Sequence, residues 1–370
     1  MQPALFTPIK IGPIEASNRI VISPMCMYAA EDGTASDFHI QHVMRFAMSG
    51  AGLSVLEATG VTPDGRISPA CLGLWSDENE RALAHVLASA RRWGLPDAKI
   101  GIQLCHAGRK GSTPLPWERG GMLTPEKGAW QTLAPSAIAS GEGQPMPREM
   151  TGQDIKDVIR AFAHASRRAA RIGFDVIEMH AAHGYLLHQF HSPMSNKRTD
   201  EWGGDEEGRL RFPVAVAEAM REATPKHVAL GARITSTDFV EGGLTVDDAV
   251  RLARELKARG FDYVCVSSGN IVQGGRPAAG PGFNIERAAK VKAESGLLTR
   301  TVGFIAGPQM AEEAISSGAV DQVALARAFL DDPNWAIHAA ERLGVPLQGS
   351  RHYARVGPGA WPAASVSRAF

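Results

Sequence analysis

A chain of 370 residues is long enough for two average domains, but α/β barrels of this length also fold as one unit. Apolar residues make up 44% and charged residues 21% of the chain, an ordinary globular composition that can bury a large core. Lys plus Arg equal Asp plus Glu at 39 each, so no net charge favours nucleic acid, an anionic membrane or an acidic partner.

Strand-like and helix-like segments alternate from the amino terminus onward. Residues 5–14, with Pro8 and the pair Gly12-Pro13, predict a short hairpin that covers one end of the fold. The first βα unit follows, because 18–24 is a β-branched run stopped by proline and 37–49 has apolar residues at helical spacing. Further strands are predicted at 53–58, 99–104, 174–179, 228–234, 263–267, 301–305 and 322–326. Further helices are predicted at 77–93, 151–172, 208–223, 245–259, 285–294 and 308–317.

Capping residues support the helix boundaries. Thr151 and Thr245 each have a carboxylate three residues on, the pattern of a helix N-cap. Gly173 and Gly260 stand where left-handed C-terminal caps belong. Eight strands alternating with helices imply a parallel sheet, and closure into a (β/α)8 TIM barrel is its economical form. A doubly wound open sheet is the alternative, but no G-x-G-x-x-G follows the first strand.

Two segments depart from the alternation. Residues 107–148 are rich in Gly, Pro and Trp without a sustained period, which predicts a loop or small hairpin subdomain over the active-site rim. Residues 345–370 form a C-terminal tail. The whole chain, 1–370, is otherwise expected to be a single barrel domain.

The segment after the fourth predicted strand carries the clearest chemical signal. His180, His183 and Tyr185 follow an apolar strand within six residues, at the strand end where barrels gather catalytic side chains. One such histidine is more often a satisfied polar group, but three donors together favour function. His188 and His191 raise the alternative of a metal site, yet no Asp, Glu or Cys lies between His180 and His191 to complete a ligand set.

Other strand ends offer polar groups on the same rim. Gln103 and Arg233 lie at the ends of the third and fifth predicted strands. Gly303 and the pair Ala326-Arg327 end the seventh and eighth, where barrels commonly bind phosphate. A guanidinium and an amide could contact the edge of a flavin ring, although an arginine after a strand is about as often a surface residue.

The cysteines and the amino terminus bear on the compartment. Cys26, Cys71, Cys105 and Cys265 are far apart and form no C-x-x-C pair, which argues against a disulfide framework and a metal centre. No basic segment precedes an apolar run at the amino terminus, and no stretch approaches the length of a membrane span. We therefore expect a cytoplasmic protein without nucleic-acid or membrane partners.

Six motifs in order resemble the old yellow enzyme family of FMN-dependent ene-reductases. They are SPMCMY at 23–28, EATGV at 57–61, GRISP at 65–69, QLCHAGRK at 103–110, HAAHGYLLHQFHSP at 180–193 and NKRTDEWGG at 196–204. The chain is similar in particular to the thermophilic-like branch that includes xenobiotic reductases, over residues 5–361. The resemblance implies FMN at the barrel mouth, reduced by NADPH, with NADH as a possible donor, and reoxidised by an activated small-molecule alkene.

The resemblance also implies roles for single residues. His180 and His183 would bind the carbonyl or nitro oxygen of the alkene, and Tyr185 would protonate its α-carbon. Tyr28, Cys26 and Arg355 would contact the substrate. The implied FMN contacts are Pro24, Met25, Cys26, Gly60, Gln103 and Arg233 at the ring, and Gly303, Ala326 and Arg327 at the phosphate. For Cys26, an ordinary small buried residue is the competing interpretation.

The resemblance extends to Lys110 and to the segment 353–355, and the pair Ala326-Arg327 departs from it. Lys110 matches a family lysine near the cofactor, whereas by itself such a residue predicts a solvated side chain. Ala326-Arg327 stands where many relatives have Gly-Arg, a change that keeps the backbone amide. Tyr353-Ala-Arg355 resembles the segment that, in this branch, sends an arginine into the active site of a neighbouring subunit. This resemblance implies a homodimer or homotetramer. A solvated terminal arginine is the alternative interpretation.

Other functions compete with this interpretation. A 2,4-dienoyl-CoA reductase is the nearest flavin barrel, but those relatives carry a Cys-rich cluster and further domains. A flavin-free phosphate-binding lyase or isomerase normally needs a Schiff-base lysine, a carboxylate base or a metal. A non-catalytic binding barrel is the third possibility.

Overall fold

The computed structural model describes residues 2–118, 122–273, 280–347, 349–356 and 360–364. Within these ranges the strands are β1 (Ile9–Ile11), β2 (Ile14–Ala16), β3 (Ile20–Ile22), β4 (Leu53–Gly60), β5 (Lys99–Cys105), β6 (Leu133–Ala134), β7 (Arg148–Glu149), β8 (Val176–Ala181), β9 (Ala229–Thr235), β10 (Tyr263–Ser267), β11 (Leu298–Val302) and β12 (Gln322–Leu325). The α-helices of the same ranges are α1 (Asp37–Ala47), α2 (Asp77–Trp93), α3 (Gly152–Ile172), α4 (Leu186–His191), α5 (Glu206–Ala223), α6 (Val246–Ala258), α7 (Ile285–Ser295), α8 (Pro308–Ser316), α9 (Arg327–Asp331) and α10 (Trp335–Arg342).

Eight of the described strands form a closed barrel in the order β10, β11, β12, β3, β4, β5, β8, β9. All neighbouring pairs are parallel. The strand β3 pairs with β12 on one side and with β4 on the other, so the sheet has no edge at which it could open. The predicted (β/α)8 barrel is confirmed, and the open doubly wound sheet is wrong.

Local sequence signals account for most element boundaries. Thr151 Oγ1 accepts a hydrogen bond from Asp154 N (3.2 Å), and the Asp154 carboxylate accepts one from Thr151 N (2.7 Å), which confirms the predicted capping box. Gly173 and Gly260 have φ values of 101° and 74°, as expected for left-handed caps. The strands β4 and β9 are buried along their whole length, as parallel strands covered on both faces should be.

The strand β11 begins three residues before its predicted start. Its first half, Leu298-Thr299-Arg300, has the polar character of a loop. Arg300 is nevertheless buried, because its guanidinium contacts Glu178 Oε2 (3.3 Å) and Gln322 Oε1 (3.0 Å) inside the barrel. Mutual pairing of buried polar groups therefore allows a polar segment to form a core strand.

The predicted amino-terminal hairpin is confirmed and closes one end of the barrel. The strands β1 and β2 pair antiparallel, with Ile9 opposite Ala16. Ile9 and Ile11 pack with Val21, Leu53 and other residues of the barrel interior. Leu53 and Val21 lie towards the starts of their strands, so the hairpin covers the amino-terminal end and leaves the carboxyl end as the mouth.

The predicted excursion at 107–148 is present, and of its two predicted forms the described residues show the loop and not the hairpin. The strands β6 and β7 pair parallel, so the segment contains no hairpin at that point. The Gly-, Pro- and Ser-rich connection between them is too long for a tight reversal, and it brings the second strand back in the same direction. The Arg109 guanidinium donates to the carbonyl oxygens of Ile138 (3.1 Å) and Ala139 (3.3 Å), which holds the excursion against the barrel mouth. Residues 119–121 of this segment, like 348, 357–359 and 365–370 of the tail, lie outside the described residues.

No helix in the described part of the chain is both long and apolar enough to cross a membrane.

Candidate active site

Residues from several strands meet at the carboxyl end of the barrel. In the strand register His180 lies beside Arg233, and Gln103 lies beside Glu178. Ser267 ends β10 beside Thr235 of β9. Because all barrel strands are parallel, His180, Arg233 and Ser267 share the rim on which barrel enzymes carry out their chemistry, while Glu178 lies inside the barrel.

The predicted cluster His180, His183 and Tyr185 is brought together. His183 Nδ1 lies 3.4 Å from His180 Nε2, and the ring of His180 stands edge-on to that of Tyr185 with the centroids 4.9 Å apart. A turn at Gly184 makes this possible, with φ values of 59° at His183 and 74° at Gly184. A Cβ at Gly184 would lie 2.3 Å from the carbonyl oxygen of Asn270, so only glycine fits there.

A buried histidine–aspartate pair supports this turn from behind. Gly184 N donates to His188 Nδ1 (2.8 Å), and His188 Nε2 lies 2.8 Å from Asp238 Oδ1. The other oxygen of Asp238 accepts hydrogen bonds from Ser192 Oγ (2.6 Å) and Leu244 N (2.9 Å). His188 thus has a structural role, and among the described residues no group of three or more His, Cys, Asp or Glu could hold a metal ion.

The local environment sets the protonation of the cluster. Burial, followed by the charge of Arg233, holds the pKa of His180 and of His183 well below the usual range. Burial also raises the pKa of Tyr185 well above its usual range. At neutral pH the site therefore contains two neutral imidazoles and a protonated phenol.

Lys110 is not the solvated lysine that its position alone predicts. Its Nζ donates to the carbonyl oxygens of His183 (2.8 Å) and Asn270 (3.2 Å) and lies 5.3 Å from the centroid of the Tyr185 ring. The lysine therefore connects the turn at His183 to the segment after β10 and adds positive charge close to Tyr185.

Two of the scattered cysteines meet beside the mouth. The thiols of Cys26 and Cys71 interact with each other, and Ser68 N donates to Cys71 Sγ (3.3 Å). The interaction with Cys26 contributes most to lowering the pKa of Cys71 to about 7, while the same interaction, followed by burial, raises the pKa of Cys26. All four cysteines are free thiols, and Cys26 is the one that is partly exposed. A protonated Cys26 suits a contact residue better than a nucleophile.

The segment after β3 lines one side of the mouth. Pro24, Met25, Cys26 and Tyr28 are all partly exposed there. Tyr28 has a φ of 54°, and its ring stands edge-on to that of Trp117 in the excursion, with centroids 6.0 Å apart. The excursion therefore reaches the residues that were predicted to line a substrate pocket.

The ring-binding residues implied by the resemblance fit a flavin. Gln103 Nε2 donates to Glu178 Oε1 (2.7 Å); a carboxylate only accepts, so the amide carbonyl of Gln103 is left for another donor such as an imide N–H. Arg233 Nη1 donates to Ser23 Oγ (3.1 Å), and its buried Nε has no partner among the described residues. An available acceptor beside an available cationic donor matches the imide edge of an isoalloxazine.

The residues that were predicted to bind the phosphate lie on neighbouring strand ends. Val302 and Ala324 are register partners, so Gly303 and Ala326 leave the barrel side by side. Gly303 has a φ of 140°, and a Cβ there would lie 2.6 Å from the ring of Phe283. Arg327 is exposed, with its guanidinium 5.7 Å from the centroid of the Phe304 ring, so the side chain is near this site and open to solvent.

Two predicted residues stand apart from this arrangement. Gly60 uses both backbone groups within the protein, since its N–H donates to Leu72 O (2.8 Å) and its carbonyl accepts from Leu74 N (2.9 Å). Arg355 is exposed in a 3-10 segment, Arg351–Val356, in which His352 packs on Trp93 at the end of α2. That helix end lies at the amino-terminal side of the barrel, away from the chain's own mouth.

Two residues of the site were absent from the sequence predictions. Glu178 is a charged residue inside an apolar strand, and that contrast is a usable signal. The predicted strand 263–267 already places Ser267 on the rim. Serine is common at strand ends, however, so the residue type alone does not indicate a function.

Comparisons with known proteins identify the family of this chain. The model of the NADH:flavin oxidoreductase / NADH oxidase family matches residues 4–345. NADPH dehydrogenase of Geobacillus thermodenitrificans (strain NG80-2) is 41% identical over 357 residues, which cover 96% of this chain and 99% of that protein. The structure of morphinone reductase in complex with tetrahydroNAD has a TM-score of 0.75 at 26% identity, over 94% of this chain and 93% of that chain. The complex of 2-naphthoyl-CoA reductase with 2-naphthoyl-CoA has a TM-score of 0.82 at 24% identity and shows the fold alone; this chain spans 58% of that chain.

Proposed function

The chain belongs to the NADH:flavin oxidoreductase / NADH oxidase family, the old yellow enzymes, and from this premise we propose that it is an ene-reductase. As a member it is an FMN-dependent oxidoreductase that uses NADPH. The proposed second substrate is a C=C bond conjugated to a carbonyl or nitro group, as in cyclic enones, maleimides and nitroalkenes.

One observation carries the proposal: two neutral imidazoles and a protonated phenol converge at the mouth. The pKa values of His180 and His183 are lowered, and that of Tyr185 is raised. At one and the same pH, an imidazole N–H can therefore donate a hydrogen bond to an oxygen, and the phenol can give a proton to a carbon. An activated alkene needs both, because its electron-withdrawing oxygen must be polarised and its α-carbon protonated.

The residues divide the reaction between them. When bound, FMN would supply the hydride transfer between NADPH and the β-carbon of the alkene. His180 donates a hydrogen bond to the substrate oxygen and draws electron density from the double bond. His183 supports this donor from the adjacent position, 3.4 Å away. Tyr185 gives its phenolic proton to the α-carbon from the face opposite the cofactor, so the two hydrogens add trans.

The proposed cofactor contacts follow the same rim. Arg233 would sit near N1 and the C2 oxygen, where a cation favours the reduced ring, and Gln103 would accept from the ring imide. The full proposed set is Pro24, Met25, Cys26, Gly60, Gln103 and Arg233 at the ring, and Gly303, Ala326 and Arg327 at the phosphate. For Gly60 the contact would be through its Cα surface, since its backbone groups are already bonded.

Tyr28, Cys26 and Arg355 are the proposed substrate-side residues. Arg355 can serve only a neighbouring copy's site, because its segment lies beside Trp93 at the far end of its own barrel. The proposed working unit is therefore at least a homodimer. Family membership argues against the flavin-free lyase or isomerase and the non-catalytic barrel.

The proposal can be tested by measuring the two half-reactions separately. Under anaerobic conditions NADPH should bleach the flavin band, and cyclohexenone should restore it. Replacing both His180 and His183 with alanine should slow the second step about a hundredfold or more and leave the first nearly unchanged, since His180 donates to the alkene oxygen and His183 supports that donor.

His227→Ala is the matched control, because His227 is an exposed histidine just before β9, at the opposite end of the barrel. It should leave both steps at the wild-type rate. An equal loss of both half-reactions in the double variant would contradict the assigned role, and no reoxidation of the wild-type enzyme by any activated alkene would reject the ene-reductase.

A further inference from the structure

Ser267, His183 and His180 form a continuous chain of polar contacts along the rim. Ser267 Oγ lies 2.7 Å from His183 Nε2, and His183 Nδ1 lies 3.4 Å from His180 Nε2. The chain ends at His180 Nδ1, which is buried and has no hydrogen-bond partner among the described residues. A buried ring nitrogen without a partner indicates a ligand group that binds there.

The protons in this series of contacts from Ser267 to His180 can be arranged in two ways. Burial and nearby cations lower the pKa of both histidines, so each ring is neutral, with one N–H and one lone pair. In the first arrangement Ser267 O–H donates to His183 Nε2, His183 Nδ1–H donates to His180 Nε2, and His180 presents Nδ1–H. In the second every bond is reversed, and His180 presents a bare lone pair.

The two arrangements differ in the ligands they accept. A carbonyl or nitro oxygen has only lone pairs to offer, so it needs the N–H of the first arrangement and is repelled by the second. A serine hydroxyl can donate or accept, but Ser267 favours the first arrangement, because its buried O–H then donates to His183 Nε2, whereas in the second arrangement that O–H has no acceptor among the described residues. Without that hydroxyl, a buried lone pair on His183 would go unsatisfied.

We propose that Ser267 is a positioning residue that stabilises the His180 tautomer with a proton on Nδ1 and so turns His180 into a donor for the substrate oxygen. This inference rests on the proposed function and adds to it the tautomer of each histidine and the residue that sets it. Ser267 itself does not touch the reacting atoms.

The backbone around Ser267 is held firmly enough for this role. Ser267 is the last residue of β10, in register with Thr235, and its carbonyl accepts from Ser236 N (2.7 Å). Thr235 Oγ1 in turn accepts from His183 N (3.3 Å), so the serine and the histidine are fixed to the same strand end. Small side-chain movements would break a 2.7 Å contact, but this framework limits them.

The direct test is the ring-nitrogen NMR spectrum of the FMN-loaded, oxidised enzyme with bound cyclohexenone, which the oxidised enzyme cannot reduce. With ¹⁵N-labelled histidine, and His180→Asn and His183→Asn used only for assignment, we expect protonated Nδ1 and bare Nε2 on both residues. A bare Nδ1 on His180 or a protonated Nε2 on His183 would overturn the inference.

A second measurement compares serine variants in the same loaded enzyme. Ser267→Ala should weaken cyclohexenone binding and slow reoxidation by the enone about tenfold, the effect of losing one hydrogen bond, while Ser267→Thr retains the hydroxyl and most of the function. Reduction by NADPH should not change.

Ser268→Ala is the matched control, because the Ser268 hydroxyl donates to Asn284 Oδ1 (3.0 Å) and not to the histidines. Equal effects of Ser267→Ala and Ser268→Ala, or an unchanged histidine spectrum in Ser267→Ala, would overturn the inference. A wild-type enzyme that shows the expected tautomers but reduces no activated alkene would instead reject the proposed function.

Discussion

At the scale of single residues, the site combines groups whose pKa values are shifted in opposite directions. Burial disfavours charge on every group, so it keeps His180 and His183 unprotonated and Tyr185 protonated. The same physical cause thus produces hydrogen-bond donors of two kinds from three uncharged side chains.

Tyr185→Phe tests the proton donor. We expect reoxidation by cyclohexenone to slow by roughly tenfold to a hundredfold, below the full range for a lost general acid, because water can also supply the proton. The wild-type rate should stay flat from neutral pH to about pH 9, since the raised pKa of Tyr185 delays its ionisation and the lowered pKa of the histidines keeps them neutral. Stopped-flow measurement of the oxidative half-reaction checks both statements.

Tyr28→Phe serves as the comparison, because Tyr28 is the other tyrosine at the mouth and lies outside the proton-donating position. A loss as large in Tyr28→Phe as in Tyr185→Phe would contradict the role of Tyr185. So would a fall in rate centred near the ordinary pKa of a phenol or an imidazole.

At the scale of elements, the sequence predictions were correct where the signal is local and failed where a polar residue is paired with a residue that is distant in sequence. Periodicity located every barrel strand, and caps such as Thr151 located helix starts, because these signals are local. The start of β11 was missed because Arg300 is buried only through Glu178 and Gln322 on other strands, which no local pattern reveals. The contact of Ser267 with His183 was missed for the same reason, since 84 residues separate them.

The turn between His183 and Tyr185 yields a prediction at this scale. Gly184→Ala should slow reoxidation by the enone roughly a hundredfold, because the new Cβ would overlap the Asn270 carbonyl and displace both catalytic side chains. The thermal midpoint of the FMN-loaded enzyme should also fall.

Gly204→Ala separates steric overlap from backbone strain. Gly204 has nearly the same φ, 73°, but a Cβ there would meet nothing within 4 Å. The free energy of unfolding of this variant should fall by about 1–2 kcal/mol, the cost of the backbone strain, and its activity should be kept. Equal losses of activity in the two variants would count against the positioning argument.

At the scale of the whole molecule, the location of the tail decides how many chains make an active site. His352 packs on Trp93 at the amino-terminal side of the barrel, while the cluster of His180, His183 and Tyr185 lies at the carboxyl side. An exposed Arg355 can therefore reach a mouth only if two copies associate with suitable geometry, which is the proposed arrangement.

Mixed dimers test this arrangement. Arg355→Ala should lower kcat/KM for the enone, whereas Arg351→Ala, an exposed arginine of the same 3-10 segment, should not. Dimers of one Arg355→Ala chain and one chain lacking His180 and His183 should regain activity, because one of their two sites has an intact mouth and an intact neighbouring arginine. If the mixture has only the average activity of the two variants, Arg355 does not act between chains.

The amino-terminal hairpin has a consequence for kinetics. Because Ile9 and Ile11 close the lower end of the barrel and buried side chains such as Glu178 and Arg300 fill its interior, a flavin at the mouth would be approached from the solvent side only. On the proposed function, NADPH and the alkene must then occupy the same entrance in turn, and the oxidised nicotinamide must leave before the alkene enters. The enzyme should accordingly follow double-displacement kinetics, and an excess of either substrate should inhibit turnover by occupying the entrance at the wrong stage.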